Sequence, residues 1–455
     1  MSPTRTPLAW LDGVQSRTGE PLYLAIVQAL EVAIRTGALQ AGERLAPQRR
    51  VADHLGINFT TVTRAYSQAR DRGLVEGATG RGTFVRARAL HEDSDGVDLS
   101  MNLPPAPEGI SLGAHIEQTT AEILRRTDTA LLMAYHPSAG ALGHRAAGAS
   151  WLEPVLGEVD PARVLVASGA QAALAAVLTA TCRPGDWIVV EPLTYPGLSL
   201  VAARLGLQLV ACPTDAGGPI VAELDRLCET RRPKALYLIP THQNPTTVTL
   251  AQNRRSALAE VVARHDLWLV EDDPYWRLEA DPLSAISSLL PQQAFFISTL
   301  SKTLTPGLRT AFVVCPQGDR AQKVEESLRA LCLMPAPLMT AMVSTWIREG
   351  LAETLVEGVR KAAQTRRALA RRILPQAIGA DFGLHVWLPL DTRWQGPDLD
   401  AAARAQGLAL VTAPAFATTP DHQNGMRISL GGPVKLEVLE KALVRVGEMA
   451  RGWGG

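Results

Sequence analysis

Five short segments that carry reactive or ligand-binding side chains each follow a run of apolar residues. In chain order they are SGAQ (168–171), EPLTYPG (191–197), PTHQNPT (240–246), EDDPY (271–275) and TLSKTLTPGLR (299–309). The last segment contains Lys302, one of six lysines in a chain with 39 arginines. A lysine amine can lose its proton and act as a nucleophile, whereas an arginine guanidinium cannot. Lys302 is therefore the first candidate for a reactive group.

The apolar runs predict the elements that position these segments. They are VLVA (164–167), WIVV (187–190), ALYLI (235–239), LWLV (267–270) and FFIS (295–298), and helical stretches alternate with them. This alternation predicts an α/β fold with a mostly parallel sheet covered by helices. In such sheets ligands bind beyond the carboxyl ends of the strands. We therefore expect the five segments to meet at one edge of the sheet.

The first 88 residues have a different pattern. Apolar residues recur at helical spacing over 22–34, a second helix is predicted from Pro47 to Leu55, and Gly56 suits the turn that follows it. A third helix is predicted from Phe59 to Arg72, and EGATGRGTFV (76–85) predicts two strands around a glycine-rich tip. Three helices followed by a strand ribbon are typical of a winged helix-turn-helix.

Charge supports a division into domains. Residues 1–90 hold twelve Arg, no Lys and seven Asp or Glu, a net charge of +5, and the remainder of the chain carries −5. A basic head is a feature of nucleic-acid binding. We predict a winged helix-turn-helix at 1–88, a polar, acidic linker at 89–100 and a body at 101–455.

Composition excludes several other classes. With 46% hydrophobic and 20% charged residues, the chain is typical of a globular protein. Its five cysteines have no CxxC spacing, so neither a metal site nor a disulfide framework is predicted. The N-terminus lacks the apolar region of a signal peptide, and no segment is apolar enough to span a membrane. These features predict a cytoplasmic protein.

Taken together, the five segments resemble the pyridoxal 5'-phosphate (PLP) site of fold-type I aminotransferases. The head resembles a GntR-type winged helix, and the whole chain from about Pro21 to Arg427 resembles the MocR family of PLP-dependent transcriptional regulators. The resemblance implies a fold-type I aminotransferase-like body, with a large mostly parallel-sheet domain and a small C-terminal α+β domain. It also implies PLP as cofactor.

The resemblance assigns roles around the PLP ring. Lys302 would form a Schiff base with the PLP aldehyde. Asp272 would pair with the protonated pyridine nitrogen, with Asp273 as the neighbouring alternative. Asn244 and Tyr275 would hydrogen-bond the phenolic oxygen of the ring, and Tyr195 would stack on the ring. From the residues alone, Asn244 could instead begin a turn and Tyr195 could be an ordinary core residue.

The resemblance also implies an anion site and a carboxylate site. The PLP phosphate would lie on the N–H groups at the start of a helix, where the helix dipole favours anions. The N–H groups would be those of Gly169, Ala170 and Gln171. The hydroxyls of Thr299 and Ser301 and the guanidinium of Arg309 would add further contacts to the phosphate. Arg427 resembles the arginine that binds an amino acid's α-carboxylate, although a surface arginine is the alternative.

In helix-turn-helix proteins the second helix of the motif enters the major groove, which here is the helix from Phe59 to Arg72. Arg81, at the predicted wing tip, would reach the minor groove. The remaining candidate contacts to double-stranded DNA are Arg49, Thr60, Thr61, Thr63 and Arg64. An interaction with protein instead of DNA is the alternative for the head.

Two positions depart from the family pattern. The family often has Gly at the position of Thr247, so the family's backbone geometry does not carry over directly to that loop. Many GntR heads have Arg at the position of Phe59, so base recognition by that arginine does not carry over to this chain.

The head, the five segments and the family resemblance together predict a DNA-binding regulator whose body senses an amino acid or amine through Lys302. The resemblance further implies a homodimer with a head-to-tail arrangement. An aminotransferase with an appended head is the second hypothesis, because the catalytic groups are all present. A cofactor-free scaffold is the third, and it would predict loss of Lys302 or Asp272.

Overall fold

The computed structural model describes residues 8–11, 14, 21–36, 38–40, 42–78, 82–85, 96–136, 139–391 and 396–452. The chain divides into two compact units, Met1–Asp95 and Gly96–Gly455. We call them the head and the body. No helix in these described ranges is both long and apolar enough to cross a membrane.

The head contains helices followed by a strand ribbon, as the sequence predicts. Its elements are α1 (Leu22–Arg35), α2 (Gln48–Leu55), α3 (Phe59–Asp71), β1 (Val75–Ala78) and β2 (Gly82–Val85). The turn between α2 and α3 begins at Gly56, whose φ of 64° lies in the left-handed region that glycine adopts without strain. It ends at Asn58, whose side chain accepts a hydrogen bond from the Thr60 N–H and so caps α3.

The ribbon is antiparallel, with Val75 opposite Val85 and Ala78 opposite Gly82. Its tip, including the predicted DNA contact Arg81, lies outside the described residues. The buried Tyr66 of α3 donates a hydrogen bond from its hydroxyl to the main-chain oxygen of Ala46, at 2.8 Å. This bond fixes α3 against the segment that precedes α2.

The body contains the remaining elements. Its α-helices are α4 (Leu112–Arg126), α5 (Thr129–Leu132), α6 (Leu142–Leu156), α7 (Ala170–Thr181), α8 (Pro196–Arg204), α9 (Val221–Arg231), α10 (Gln252–Arg264), α11 (Arg320–Cys332), α12 (Pro337–Arg348), α13 (Leu351–Ile373), α14 (Gly396–Ala405) and α15 (Leu436–Gly452). Its strands are β3 (Val97–Asp98), β4 (Val164–Ala167), β5 (Trp187–Val190), β6 (Gln208–Ala211), β7 (Thr214–Asp215), β8 (Gly218–Pro219), β9 (Ala235–Leu238), β10 (Trp268–Asp272), β11 (Ala294–Thr299), β12 (Ala311–Val314), β13 (His385–Pro389), β14 (Leu408–Ala409), β15 (Val411–Thr412) and β16 (Gly425–Ser429). Short 3-10 helices lie at Ala9–Leu11 in the head and, in the body, at Pro161–Arg163, Trp276–Leu278, Ile286–Leu289, Pro306–Leu308 and Ala413–Ala415.

The large domain of the body is built on a seven-stranded sheet with the order β4-β12-β11-β10-β9-β5-β6. Strand β12 is antiparallel to both of its neighbours, and the other pairs are parallel. The inner strands β9, β11 and β12 and the edge strand β4 are entirely buried, as expected where helices cover both faces of a sheet, whereas the other edge strand, β6, is partly exposed. All five predicted runs form strands of this sheet.

The small domain has a three-stranded antiparallel sheet with the order β13-β16-β15. A separate parallel pair joins β14 to β3, which lies at the beginning of the body. The predicted linker, 89–100, therefore differs from the structure at its C-terminal end. Val97 and Asp98 form a strand and Leu99 is fully buried, because these residues complete the hydrophobic core of the small domain.

Candidate active site and DNA-binding surface

The candidate residues meet at the carboxyl edge of the central sheet. Neighbouring strands β10 and β11 end at Asp272 and Thr299, and Lys302 follows three residues later. The charges of Asp272, Arg309 and Arg427 all influence the pKa of Lys302. Parallel strands end at the same edge of a sheet, which is why residues from distant segments converge here.

Asp272 is a buried carboxylate with one free oxygen. Its Oδ2 accepts a hydrogen bond from the hydroxyl of Tyr237 on β9, at 2.8 Å. Its Oδ1 is buried and has no hydrogen-bond partner within the described chain. Burial raises the pKa of Asp272 to about 6, opposed by the Tyr237 hydrogen bond and the positive charge of Lys302. An unpartnered buried acceptor is costly, so this oxygen is suited to a ligand that donates a hydrogen bond to it.

Asp273 has a different environment. Its Oδ1 accepts from the main-chain N–H groups of Tyr275 and Trp276, and its Oδ2 accepts from the Thr241 hydroxyl at 2.6 Å. Both oxygens are therefore used to order the chain after β10. This difference favours Asp272 as the ligand-binding member of the pair.

The environment of Lys302 lowers its pKa. Burial is the largest cause, the positive charge of Arg427 adds to it, and the pKa falls to about 8 although Asp272 opposes the shift. The Lys302 Nζ donates a hydrogen bond to the main-chain oxygen of Asn102. The neutral amine is the form of lysine that acts as a nucleophile, and the lowered pKa makes this form more common near neutral pH.

Arg427 is buried on β16, not a surface residue. Its Nη1 donates to Asn244 Oδ1 at 2.8 Å, and its Nη2 donates to the main-chain oxygen of Ser100. The guanidinium lies over the ring of Phe416, with 5.1 Å between its carbon and the ring centroid. Its Nε is buried with no partner among the described residues, so the group retains a donor for a carboxylate.

Tyr275 is held by a residue that the sequence did not identify. The amide of Asn102 donates to the Tyr275 hydroxyl at 2.8 Å and contacts His385 Nδ1 at 2.9 Å. His385 is fully buried, and burial lowers its pKa well below the usual range. We assign it as neutral, with Nδ1 accepting from Asn102 and Nε2 donating to the Gln243 main-chain oxygen.

Tyr195 precedes α8 and is fixed by two neighbours. Its hydroxyl donates to Gln171 Oε1 at 3.1 Å, and Gln171 Nε2 donates to the main-chain oxygen of Gly197. A Cβ at Gly197 would lie 2.3 Å from the Tyr195 ring, so a residue without a side chain is required there. The charges of Asp272, Arg309 and Arg427 all influence the pKa of Tyr195, which places its ring beside the same site.

The predicted anion site lies at the start of α7, with one correction. The Gly169 N–H donates to the Ala167 main-chain oxygen at 2.8 Å, so it is not available to a ligand. Ala170 and Gln171 begin the helix, where N–H groups have no intrahelical partner. Gly169 has a φ of 98°, and a Cβ there would lie 2.5 Å from Arg309 Nη2. Glycine therefore allows the arginine to approach the helix start.

The two predicted hydroxyls contact each other. Thr299 Oγ1 and Ser301 Oγ are 2.9 Å apart, and Thr299 also lies 3.3 Å from the Thr310 main-chain oxygen. Arg309 Nη2 donates to the Ser168 main-chain oxygen at 3.2 Å. These contacts connect the end of β11 to the turn that carries Arg309.

Thr247 adopts the conformation that explains the family's glycine. Its φ is 67°, in the left-handed region, and its N–H donates to the Gln243 main-chain oxygen at 2.7 Å. The Thr247 hydroxyl is buried without a hydrogen-bond partner in the described chain. The loop is therefore formed by a β-branched residue in a backbone region that such residues rarely occupy.

On the head, the candidate DNA contacts lie on α2 and α3. Arg49 and Arg64 are exposed, and the guanidinium of Arg64 lies over the ring of Tyr23 at 4.2 Å from the centroid. The exposed Thr60 and Thr63 hydroxyls donate to the Asn58 side chain and to Gln48 Oε1. Thr61 is only partly exposed.

Sequence reasoning missed Ser100, Asn102, Tyr237, Gln243 and His385. Gln243 shows why, because its side chain hydrogen-bonds other segments of the chain. Its Nε2 donates to the Leu193 main-chain oxygen at 2.7 Å, and its Oε1 accepts from the Thr246 N–H at 2.8 Å. The one available signal was Tyr237, a polar group within the otherwise apolar run of β9.

Comparison with known proteins agrees with this architecture. Residues 94–443 match the family of class I and II aminotransferases, and residues 22–85 match the gntR family of bacterial regulatory proteins. The uncharacterized HTH-type transcriptional regulator YdeF of Bacillus subtilis is 30% identical over 446 residues, which cover 96% of each chain. The probable rhizopine catabolism regulatory protein MocR of Rhizobium meliloti is 27% identical, covering 84% of this chain and 81% of its own.

Among solved structures, the Pyrococcus horikoshii kynurenine aminotransferase in complex with PMP superposes with a TM-score of 0.73. It is 25% identical and covers 81% of this chain and 96% of its own. The body thus has the fold of an aminotransferase, and the head has the sequence of a GntR-type regulator. The chain belongs to the MocR family, in which these two domains are joined.

Proposed function

We propose that this chain is a PLP-dependent, DNA-binding transcriptional regulator whose body senses an amino acid or a related amine. One observation carries the proposal. In the body, Lys302, the free oxygen of Asp272 and the guanidinium of Arg427 belong to one buried site, and the same chain has a GntR-type head.

The residues fit PLP on a specific feature of the site. Asp272 Oδ1 is a buried acceptor without a partner among the described residues, and it would accept a hydrogen bond from the protonated pyridine nitrogen. The glycine at 169 leaves room for Arg309 at the start of α7, where a phosphate would be held. Tyr195, Asn244, Tyr275, Thr299 and Ser301 complete the residues that we assign to the cofactor. PLP supplies an aldehyde that bonds to amines and a ring that withdraws electrons.

Lys302 is prepared for bonding to that aldehyde by its surroundings. With a pKa of about 8, Lys302 is more often neutral near pH 7.5 than an ordinary lysine is. The positive charge of Arg427 contributes to this shift. When a carboxylate neutralises Arg427, the protonated form of Lys302 becomes more favourable again. The site therefore links the charge state of the amine to the presence of a carboxylate.

Arg427 defines the class of effector. A guanidinium presents planar N–H pairs that match a carboxylate, and Asn244 fixes its orientation. A ligand that has both an amine and a carboxylate could bond to the PLP aldehyde through the amine and to Arg427 through the carboxylate. We therefore propose an amino acid or a close analogue as the effector.

The head would bind double-stranded DNA through α3. Arg49 and Arg64 are exposed cations on α2 and α3. Thr60 and Thr63, also on α3, are exposed as well. Such cations contact phosphates, and hydroxyls contact either phosphates or bases.

We further propose a homodimer with the head-to-tail arrangement of the family. Exposed apolar side chains at the end of α5 and the start of α6 support an interface there. They are Leu131, Met133, Tyr135 and Leu142, and Tyr135 is 82% exposed. A monomer rarely exposes such a group of large apolar side chains together.

Transamination is a second candidate, favoured by the set of groups in the site. The amine of Lys302, the carboxylate of Asp272 and the guanidinium of Arg427 are present together, and class I and II aminotransferases share this body. Incubation of PLP-loaded protein with single amino acids and a 2-oxo acid acceptor would reveal turnover as a new amino acid. Turnover without DNA binding would favour the enzyme.

The first experiment compares absorption spectra of the wild-type protein and Lys302→Ala, each after incubation with PLP and removal of the unbound PLP. We expect a visible-edge band in the wild type that is absent from the variant and is shifted by particular amines. Lys234→Ala is the matched control, because it also removes one lysine, and we expect it to retain the band. A wild type that has no visible-edge band after the unbound PLP is removed would refute the cofactor assignment.

A further inference from the structure

Residues 96–103, which we call the strap, begin the body and contact the reactive groups of the site. The contacts are made by main-chain oxygens. The Asn102 oxygen accepts a hydrogen bond from Lys302 Nζ, and the Ser100 oxygen accepts one from Arg427 Nη2. The strap thus contacts both the amine and the guanidinium on which the proposed function depends.

The Asn102 side chain adds a third contact within the site. Its amide donates to the Tyr275 hydroxyl at 2.8 Å and contacts His385 Nδ1 at 2.9 Å. Its Oδ1 is buried and without a hydrogen-bond partner in the described part of the chain. Asn102 is 5% exposed, so these bonds are protected from competition with water.

The strap is also hydrogen-bonded to the small domain. The Val97 and Leu99 N–H groups donate to the Gly407 and Ala409 main-chain oxygens at 2.7 and 2.9 Å. The Ser429 N–H donates to the Leu99 oxygen at 2.9 Å. Since Ser429 and Arg427 belong to the same strand, β16, a displacement of that strand displaces the strap.

Two consecutive glycines allow this close packing. A Cβ at Gly431 would lie 1.8 Å from the Leu103 main-chain oxygen, and one at Gly432 would lie 2.5 Å from the Asp98 oxygen. No side chain fits between the strap and this part of the small domain. The strap is therefore fixed by backbone contacts along its length.

We propose that the strap couples the state of the body's site to the DNA-binding head, an inference that rests on the proposed function. The head ends at Asp95 and the strap begins at Gly96, so the strap is the part of the body that follows the head directly in the chain. Coupling requires contacts that differ between two states. A protonated Lys302 has three N–H donors and loses donors when its nitrogen is bonded elsewhere, and a carboxylate competes with the Ser100 oxygen for Arg427.

The test uses PLP-loaded, full-length protein and aminooxyacetate as the probe. Its aminooxy nitrogen displaces Lys302 from the PLP aldehyde carbon, exchanging one carbon–nitrogen double bond for another and releasing Lys302 as the free amine. Its carboxylate is available to Arg427. We expect amide hydrogen exchange in residues 96–103 to change by about fivefold or more, the lower end of typical coupling. Absorption reports independently whether the probe reacted.

A variant tests whether the strap transmits this change. Gly432→Ala forces a Cβ against the Asp98 oxygen, whereas Gly113→Ala, in α4, meets nothing within 4 Å and is the matched control. Affinity is measured for a fluorescent duplex selected in vitro with the full-length chain. In the wild type and in Gly113→Ala we expect aminooxyacetate to change the Kd by about fivefold or more, and in Gly432→Ala by less than about twofold.

The outcomes are separable. A protein without a visible band, or with a band that ignores aminooxyacetate, would refute the proposed function and the inference with it. A band that responds while exchange in the strap stays constant would refute the inference alone. A Gly432→Ala protein that keeps the wild-type ratio of Kd values would also refute it, and if this variant does not fold, the wild-type exchange measurement still decides.

Discussion

Replacing Thr247 with glycine should stabilise the protein, although the change removes a side chain from a buried position. Thr247 is 6% exposed, has a φ of 67° and has a buried hydroxyl with no partner among the described residues. Glycine adopts this φ without steric conflict and carries no hydroxyl to satisfy. The loop also contains Asn244, which orients Arg427, so its stability bears on the site.

The magnitude follows from four contributions. A non-glycine residue in the left-handed region costs about 1–2 kcal/mol, and an unpartnered buried hydroxyl costs about 1–3 kcal/mol. Against these, glycine adds about 0.5–1 kcal/mol of unfolded-state entropy, and loss of the two buried carbons, Cβ and Cγ2, costs about 1.6 kcal/mol. The centre of these ranges is a net stabilisation of about 1 kcal/mol, which for a unit of this size raises Tm by roughly 1–2 °C.

The assay is thermal and denaturant unfolding of the wild type, Thr247→Gly and Thr247→Ala. The alanine variant removes the hydroxyl and the methyl but keeps the Cβ and the left-handed φ. The difference between the two variants combines the backbone relief of about 1–2 kcal/mol with the entropy of glycine and the loss of one buried carbon, so we expect it to be within about 1 kcal/mol of zero. A glycine variant less stable than the wild type would refute the reasoning.

Three further predictions concern the site and the head. The rate of PLP incorporation should increase as pH rises through about 8, because deprotonation of Lys302 supplies the nucleophile. Arg427→Gln should move this midpoint to higher pH, because the positive charge of Arg427 lowers the pKa of Lys302. Borohydride trapping at a series of pH values measures the rate. Gly169→Ala places a Cβ against Arg309 Nη2 at a φ of 98° and should weaken PLP binding by about tenfold in a spectroscopic titration. Asn58→Ala removes the cap of α3 and should destabilise the head by about 1 kcal/mol and weaken DNA binding in anisotropy measurements, whereas Asn58→Ser should retain most of both.

The fold was largely predictable because its strands are short, apolar and separated by helical stretches. The five predicted runs became strands, and only their ends moved, since Asp272 and Thr299 close β10 and β11 instead of following them. Strand β12 was not predicted. Its run AFVV (311–314) is apolar, but its antiparallel insertion between β4 and β11 depends on tertiary pairing that no local pattern encodes.

The candidate site was predictable to the extent that its residues come from short motifs. The choice between Asp272 and Asp273 needed the structure, because it depends on which oxygens are already bonded. Asn102 contacts Tyr275 across 173 positions of sequence, a separation at which residue type gives no signal. The Gly169 N–H was assigned to the anion site from its place before α7, but it is used by a turn.

The bonds from the strap to Lys302 and Arg427 use main-chain oxygens, which any amino acid supplies. Evolution can therefore replace the side chain at position 100 without breaking its bond, and family alignments will show little constraint on residue identity there. What the bond does require is spacing. An inserted or deleted residue between 96 and 102 would shift both oxygens along the chain, so selection should act on the length of this segment more strongly than on its composition.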